Sequence, residues 1–331
     1  MRTYIKLNLL GRERRNSISL TKKGLSAMVL ACCFLVSACK DDEAPEVIDE
    51  GPAIADQWKA GETYYAENEY TEVRVGDVAL VISVPHGGYD VPDDIPDRTC
   101  PGISVNRDGY TIELAEAIEA ELIEKYNIRP YVVVSNIARL KVDQNRDLAE
   151  GTCGNQAAVK PWEDFHNYLD TAVRTAADRH GRVLYIDLHG HGHANQRLEM
   201  GYSLTISDLT KAHAGTDLPM LAAKSSLNNL FKVNSKYSLR DLMVGADAFG
   251  TLMADEGIPS VPSKQDPYPK AGDPFFTGGY NSRYYTSSDY PDVYGWQIEC
   301  NSAVRTSEAG REAFAKAFGK AITQFMDNVE I

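Results

Sequence analysis

From Val78 to Val84 the chain is almost continuously apolar, the pattern of a strand covered on both faces, and it stops at Pro85-His86-Gly-Gly. Asp108 to Tyr126 then carries Ile112, Ala115, Ile118 and Leu122 at helical spacing and predicts an amphipathic helix. Pro130 to Ile137 reads as the next strand, and Pro161 opens a helix to about Arg179. Arg182 to Leu188 is a further strand, stopping at His189-Gly-His191-Gly-His193. Ser238 to Glu256 is a helix capped by Ser238 and stopped at Gly257, Tyr294 to Asn301 a late strand, and Thr306 to Val329 a terminal amphipathic helix. Strands alternating with helices predict one α/β domain with a mixed, mostly parallel sheet between helix layers.

The amino terminus departs from this alternation. Seven Lys and Arg precede an apolar stretch from Leu25 to Leu35, too short to span a bilayer comfortably, and Val36-Ser37-Ala38-Cys39 has the form of a processing site. With cysteine directly after small residues, the segment resembles a bacterial lipobox. Residues 1–38 are therefore expected to be a lipoprotein signal peptide and residues 39–75 a lipidated Cys39 with an acidic, flexible tether; residues 76–331 form the catalytic domain. Lys40-Asp-Asp-Glu43 resembles the tether of lipoproteins sent to the cell surface. The expected location is the cell envelope, lipid-anchored to the outer membrane and facing outward.

Seven Lys/Arg and one Glu fall in residues 1–38, so the whole-chain totals of 34 and 47 become 27 and 46, a formal charge of −19. Phosphate attraction needs clustered cations, which excludes nucleic acid as a partner. Export also permits a disulfide. Cys100 and Cys153 lie in polar loops that follow candidate active-site strands and are expected to pair, while Cys300 sits in a strand and reads as a buried thiol.

Two strands that end in histidine predict a shared metal site. His86 and His189 are the first zinc ligands. The third is Asp90, on the loop after His86, or Asp108, before the next helix, where it would otherwise be an N-cap. Asp187, two residues before His189 on the same strand face, would orient the site; His191 and His193 extend the run as supporting or substrate contacts. Arg139 and Arg146, around Asp143 and Asn145, offer forks for a substrate carboxylate, against the alternative of ion pairs with Asp143 and Asp147. Glu299, a carboxylate in an otherwise apolar strand, has a reason to be buried as a general base. There is no Gly-x-Ser-x-Gly elbow, no nucleotide-binding glycine loop and no His-Glu-x-x-His helix.

Taken in order, Val84-Pro-His86-Gly-Gly, Asn106-Arg-Asp108, Arg139-x-x-x-Asp143-x-Asn145-Arg146, Asp187-Leu-His189, Gly278-Gly279-Tyr280 and Gln297-Ile-Glu299 resemble the N-formylglutamate amidohydrolases, from about Val78 to Asn301. The resemblance implies a fold like that of zinc carboxypeptidases and a set of roles. His86, Asp108 and His189 would hold zinc, with Asp108 preferred over Asp90. Glu299 would be the general base and Arg139 the oxyanion stabiliser; Asn145, Arg146, Arg197 and Gly279 would bind substrate. Tyr89 departs from the pattern, because zinc carboxypeptidases carry glutamate three residues after the first histidine. An exported relative is expected to meet an amide other than N-formylglutamate.

The implied activity is zinc-dependent hydrolysis of an amide bond in a carboxylate-bearing acyl-amino acid or small peptide. The alternatives are cleavage of a cell-wall or γ-glutamyl peptide, and a surface lipoprotein that binds without turnover.

Overall fold

The computed structural model describes residues 57–331 and the backbone of Thr3–Tyr4. The lipobox with Cys39, and the tether up to residue 56, lie outside the described residues. The strands are β1 (Thr3–Tyr4), β2 (Thr63–Tyr65), β3 (Thr71–Arg74), β4 (Leu80–Val84), β5 (Tyr131–Ser135), β6 (Val183–Gly190), β7 (Leu198–Gly201), β8 (Ser260–Val261) and β9 (Val293–Cys300). They form one mixed sheet in the order β1-β2-β3-β5-β4-β6-β9-β7-β8. Its centre, β5-β4-β6-β9, is parallel, so the carboxyl ends of these strands open onto one rim. In parallel α/β sheets that rim is where ligands bind.

Side-chain alternation assigns the two faces. Leu80, Ile82 and Val84 of β4 and Leu184, Ile186 and Leu188 of β6 pack with α1 (Thr111–Tyr126) and the terminal helix Glu308–Val329, through Leu114, Ile118, Phe318 and Ile322. Val81, Val133, Val183 and Tyr185 point the other way, against α2 (Val159–His180) through Phe165, Tyr168, Leu169 and Val173. The sheet therefore lies between helix layers, with an apolar core on each side.

Two boundaries differ from the sequence reading. Residues 57–75 belong to the folded domain: Trp58, Tyr64, Val73 and Val75 are buried, and β3 pairs antiparallel with β5. Their short segments carry too few apolar positions to declare themselves, and it is pairing with a neighbouring strand that makes them strands. Ser238–Glu256 is two short helices, Leu239–Val244 and Phe249–Asp255. Ser238 and Asp241 form the expected capping box, but Gly245 is extended and accepts no helical continuation, so the chain turns before Phe249.

Candidate metal centre

His86 follows the end of β4 by two residues, and Gly87 and Gly88 let its loop pass between two neighbours. A Cβ on Gly87 would meet Ile112 and Thr111 of α1 at 2.5 and 2.8 Å; one on Gly88 would lie 2.4 Å from the backbone of Asn136. This close approach brings the loop against the start of α1, where Asp108 N–H donates to the carbonyl of His86 (3.0 Å). Asp108 is not the N-cap, a position taken by Tyr110 in the left-handed region. Its carboxylate instead turns inward.

Asp108 Oδ2 lies 3.0 Å from His189 Nδ1, 3.2 Å from the backbone N of Gly190 and 3.4 Å from His86 Nδ1. The opposite ring nitrogens are each held by another buried carboxylate: His86 Nε2 to Asp143 Oδ1 at 2.7 Å, and His189 Nε2 to Asp187 Oδ2 at 3.0 Å. His86 Nε2 thus donates to Asp143 and leaves its Nδ1 lone pair facing Asp108, while His189, lying between Asp187 and Asp108, offers Nδ1 to the same point once a metal ion takes the place of its proton. His86 Nδ1 is buried and makes no hydrogen bond. Two imidazole nitrogens and a carboxylate converging on one point repel one another unless a positive charge, a proton or a metal ion, lies between them. The three donor atoms are within 4.8 Å of one another, and two imidazoles with one carboxylate are a donor set that suits zinc. The residues present therefore fit a bound divalent metal.

The titration directions agree. Burial pushes the Asp108 carboxyl up, but hydrogen bonds and charge from His189 and His86 outweigh it and hold it below the usual carboxylate range. Asp143 is likewise opposed by burial and held well below that range by His86 and Arg139. Burial would lower His189, and the neighbouring Asp187 and Asp108 raise it well above the ordinary histidine value.

Strand register supplies the rest of the site. His189 of β6 is the ladder partner of Glu299 of β9, which is in turn the partner of Glu199 of β7, so the three project from one sheet face in a row. The alternation explains β9 directly: Trp296, Ile298 and Cys300 face one core, and Gln297 and Glu299 face the polar side. β9 is an interior strand, flanked by β6 and β7. Burial, reinforced by the carboxylates of Asp108 and Glu199 and opposed by His189, pushes Glu299 up to about 8. Its Oε1 accepts from Gln297 Nε2 (2.7 Å).

Other sequence-predicted residues are placed as follows. Asp90 is exposed, bridged to Ile137 through its backbone and outside the cluster. Asp187 meets His189 Nε2 (3.0 Å) and is itself held by Ser83 Oγ (2.6 Å). Arg139 donates through Nε to Asp143 (2.9 Å) and stands 3.9 Å from Asp108, at the edge of the cradle. Arg146, with its side chain 40% exposed, lines a cleft of about 370 Å³ together with Arg98, Ser104, Glu150 and the Cys100–Cys153 disulfide. Cys300 is free and buried.

Three expected substrate contacts are corrected. The Asn145 amide is engaged within the protein: Nδ2 faces His189 Nε2 (3.0 Å) and Oδ1 accepts from the Asn281 N–H (2.8 Å). Gly279 packs beneath that amide, where a Cβ would come within 2.1 Å of it. Arg197 is buried and paired with Asp266 (2.8 Å) and Asp273 (3.2 Å), which leaves no free fork for a ligand. His191, expected beside the ligands, instead bonds the Arg197 carbonyl through Nε2 (2.9 Å) and accepts from the His193 N–H through Nδ1 (3.1 Å).

Asp143 was legible in the sequence as an ion-pair partner and a motif position but not as the partner of His86, because that contact joins residues 57 positions apart. Ser83 carried no signal inside an apolar strand. Its register opposite Asp187 is what places it.

No family model and no curated protein sequence matches the chain. Among solved structures it is similar to N-formylglutamate amidohydrolase from Ralstonia eutropha JMP134, at 14% identity over 78% of this chain and 97% of that chain, with a TM-score of 0.46. It is also similar to a gene product from Agrobacterium tumefaciens, at 11% identity over 79% of this chain and 96% of that one (TM-score 0.46). A third is the N-acetylmuramyl-L-alanine amidase of Mycobacterium smegmatis, at 14% identity over 75% and 97% (TM-score 0.38). Likenesses this distant do not define an activity, and the functional reading rests on the cradle.

Proposed function

We propose that this protein is a zinc-dependent hydrolase that cleaves an amide bond in a carboxylate-bearing acyl-amino acid or small peptide. One observation carries the reading: two histidines, each anchored at Nε2 by a buried carboxylate, aim Nδ1 at Asp108 beside the buried Glu299.

His86, Asp108 and His189 would hold the metal, which supplies Lewis-acid polarisation of the carbonyl and acidifies a water toward neutrality. Glu299 takes a proton from the attacking water; burial makes it a stronger base than an exposed glutamate. Arg139, fixed by Asp143, faces the negative charge that develops on the carbonyl oxygen. Asn145 is tied to the Asn281 N–H and to Gln297 beside His189 rather than touching substrate. Arg146, at the cleft wall, is the cation that meets the substrate carboxylate.

The reading is tested by zinc content and a screen of N-acyl amino acids and short peptides with the purified chain, alongside His86→Ala and His189→Ala. About one zinc per chain, lost in both variants together with hydrolysis, is expected; full zinc in both variants, or no hydrolysis of any such amide, overturns it. The cell-envelope location belongs to the same proposal, and intact-mass measurement of the mature protein should show a diacylated or triacylated Cys39 as the first residue.

A further inference from the structure

A second group of chemistry-bearing side chains stands on the far side of Glu299 from the metal cradle. His191, His193 and Glu199 have ligand atoms within 4.8 Å of one another. They do not make a second metal site, because both ring nitrogens of His191 are already bonded, to the Arg197 carbonyl and the His193 N–H. What remains is a pair. Glu199, fully buried on β7, accepts from His193 Nδ1 through Oε1 (2.8 Å) and from the Phe276 N–H through Oε2 (2.9 Å). Both carboxylate oxygens are thereby fixed, and a carboxylate can only accept, so the proton of the pair sits on His193 Nδ1. The His193 ring lies flat on Phe276, with centroids 4.7 Å apart and planes at 9°, and its side chain is 20% exposed. No hydrogen bond engages His193 Nε2 among the described residues.

This is a histidine with its tautomer set by a buried carboxylate, its plane set by an aromatic ring, and one nitrogen left over. Glu199 is the ladder partner of Glu299, so the pair borders the base on the side opposite His189. An amide under attack at its carbonyl carbon over Glu299 has its nitrogen on one of these two sides, and the metal cradle occupies the other.

We infer that His193, held by Glu199, is the acid that protonates the departing amine, an inference that rests on the hydrolase reading above. In the step, the bond between carbonyl carbon and nitrogen breaks and its electron pair goes to nitrogen. The nitrogen takes the proton from Nε2 of the His193 imidazolium, which becomes neutral imidazole. Water contributes hydroxide to the carbonyl carbon and a proton to Glu299. Glu299 then loses that proton to solvent and His193 regains one from it, so the site returns to its starting state. The division leaves Glu299 as base alone, where a single carboxylate would otherwise serve both half-reactions.

The test compares His193→Ala with the wild type on α-amides of N-acyl glutamate, which keep a carboxylate, with graded leaving groups from an alkylamine to p-nitroaniline. Loss of a general acid costs ~10²–10⁴ in rate when the leaving group needs the proton. The expected result is a kcat loss of at least 100-fold on the alkyl amide and less than 10-fold on the p-nitroanilide, with KM and zinc content unchanged. Glu199→Gln should show the same selectivity with a smaller loss. An equal loss on both substrates overturns the acid role while leaving the hydrolase reading intact; a wild type inert on every amide overturns both. A measurement independent of turnover uses ¹⁵N shifts of the His193 ring in the metal-free chain. They should show Nδ1 protonated and Nε2 as the basic nitrogen, and the reverse tautomer overturns the inference.

Discussion

Replacing both Cys100 and Cys153 with serine should lower stability through the unfolded chain far more than through the folded one. The bridge closes a loop with a sequence separation of 53 residues. By loop-closure entropy, freeing such a loop adds about 14 cal/mol/K to the unfolded ensemble, or about 4 kcal/mol at 25 °C. The folded state has little to lose, because the buried Arg98 guanidinium spans the same junction. It donates to the carbonyls of Arg139 (2.9 Å), Ser104 (3.2 Å) and Glu150 (3.3 Å), and it stands 3.6 Å from Asp143. These contacts hold both loops in register without the disulfide. For a chain of this size, about 4 kcal/mol corresponds to a fall in Tm of about 8 °C. Calorimetry of the double variant against the oxidised wild type reads it, and zinc content should stay unchanged because Arg98 still supports Asp143. A fall of under 2 °C, with the bridge verified in the wild type by non-reducing peptide mapping, would refute the entropic reasoning. A loss of zinc would instead show that the bridge, and not Arg98, keeps Asp143 in place.

Glu299→Gln should preserve fold and zinc while reducing kcat by ~10²–10⁴, since an amide of the same shape cannot take the water's proton; near-normal turnover would remove Glu299 as the base. Asp143→Asn weakens the hold on His86 Nε2 and should lower zinc affinity about 10–100-fold by chelator competition, whereas Asp90→Asn, at an exposed position, should leave it unchanged. Arg146→Ala should raise KM for carboxylate-bearing substrates and spare uncharged amides, because it removes a charge-assisted anchor from the cleft. Arg197→Ala should leave that KM unchanged and cost roughly 1–3 kcal/mol of stability in urea titration, by stripping Asp266 and Asp273 of their partner.

How much of this was legible along the chain depends on the range of the interaction. The strands β4, β5, β6 and β9 were readable because both their faces are buried, so nearly every position is apolar. β2, β3 and β7 were not: each has four residues or fewer and owes its strand character to a partner distant in sequence. Asp187 could be assigned to His189 because residues two apart on a strand share a face. Asp143 could not be assigned to His86, nor Glu199 to the neighbourhood of Glu299, since those proximities come from packing and register rather than spacing. The sequence also supplied the right residue types with some wrong destinations. Arg139, Arg146 and Arg197 look alike as cations near a site. Burial and partner count separate them: Arg139 stands at the cradle, Arg146 at the cleft wall, and Arg197 is closed into two ion pairs. Local pattern thus determined the central strands β4, β5, β6 and β9, the long helices and the ligand-bearing turns. Which carboxylate meets which histidine, and which arginine remains available to a substrate, was decided only when the strand order and register brought distant segments together.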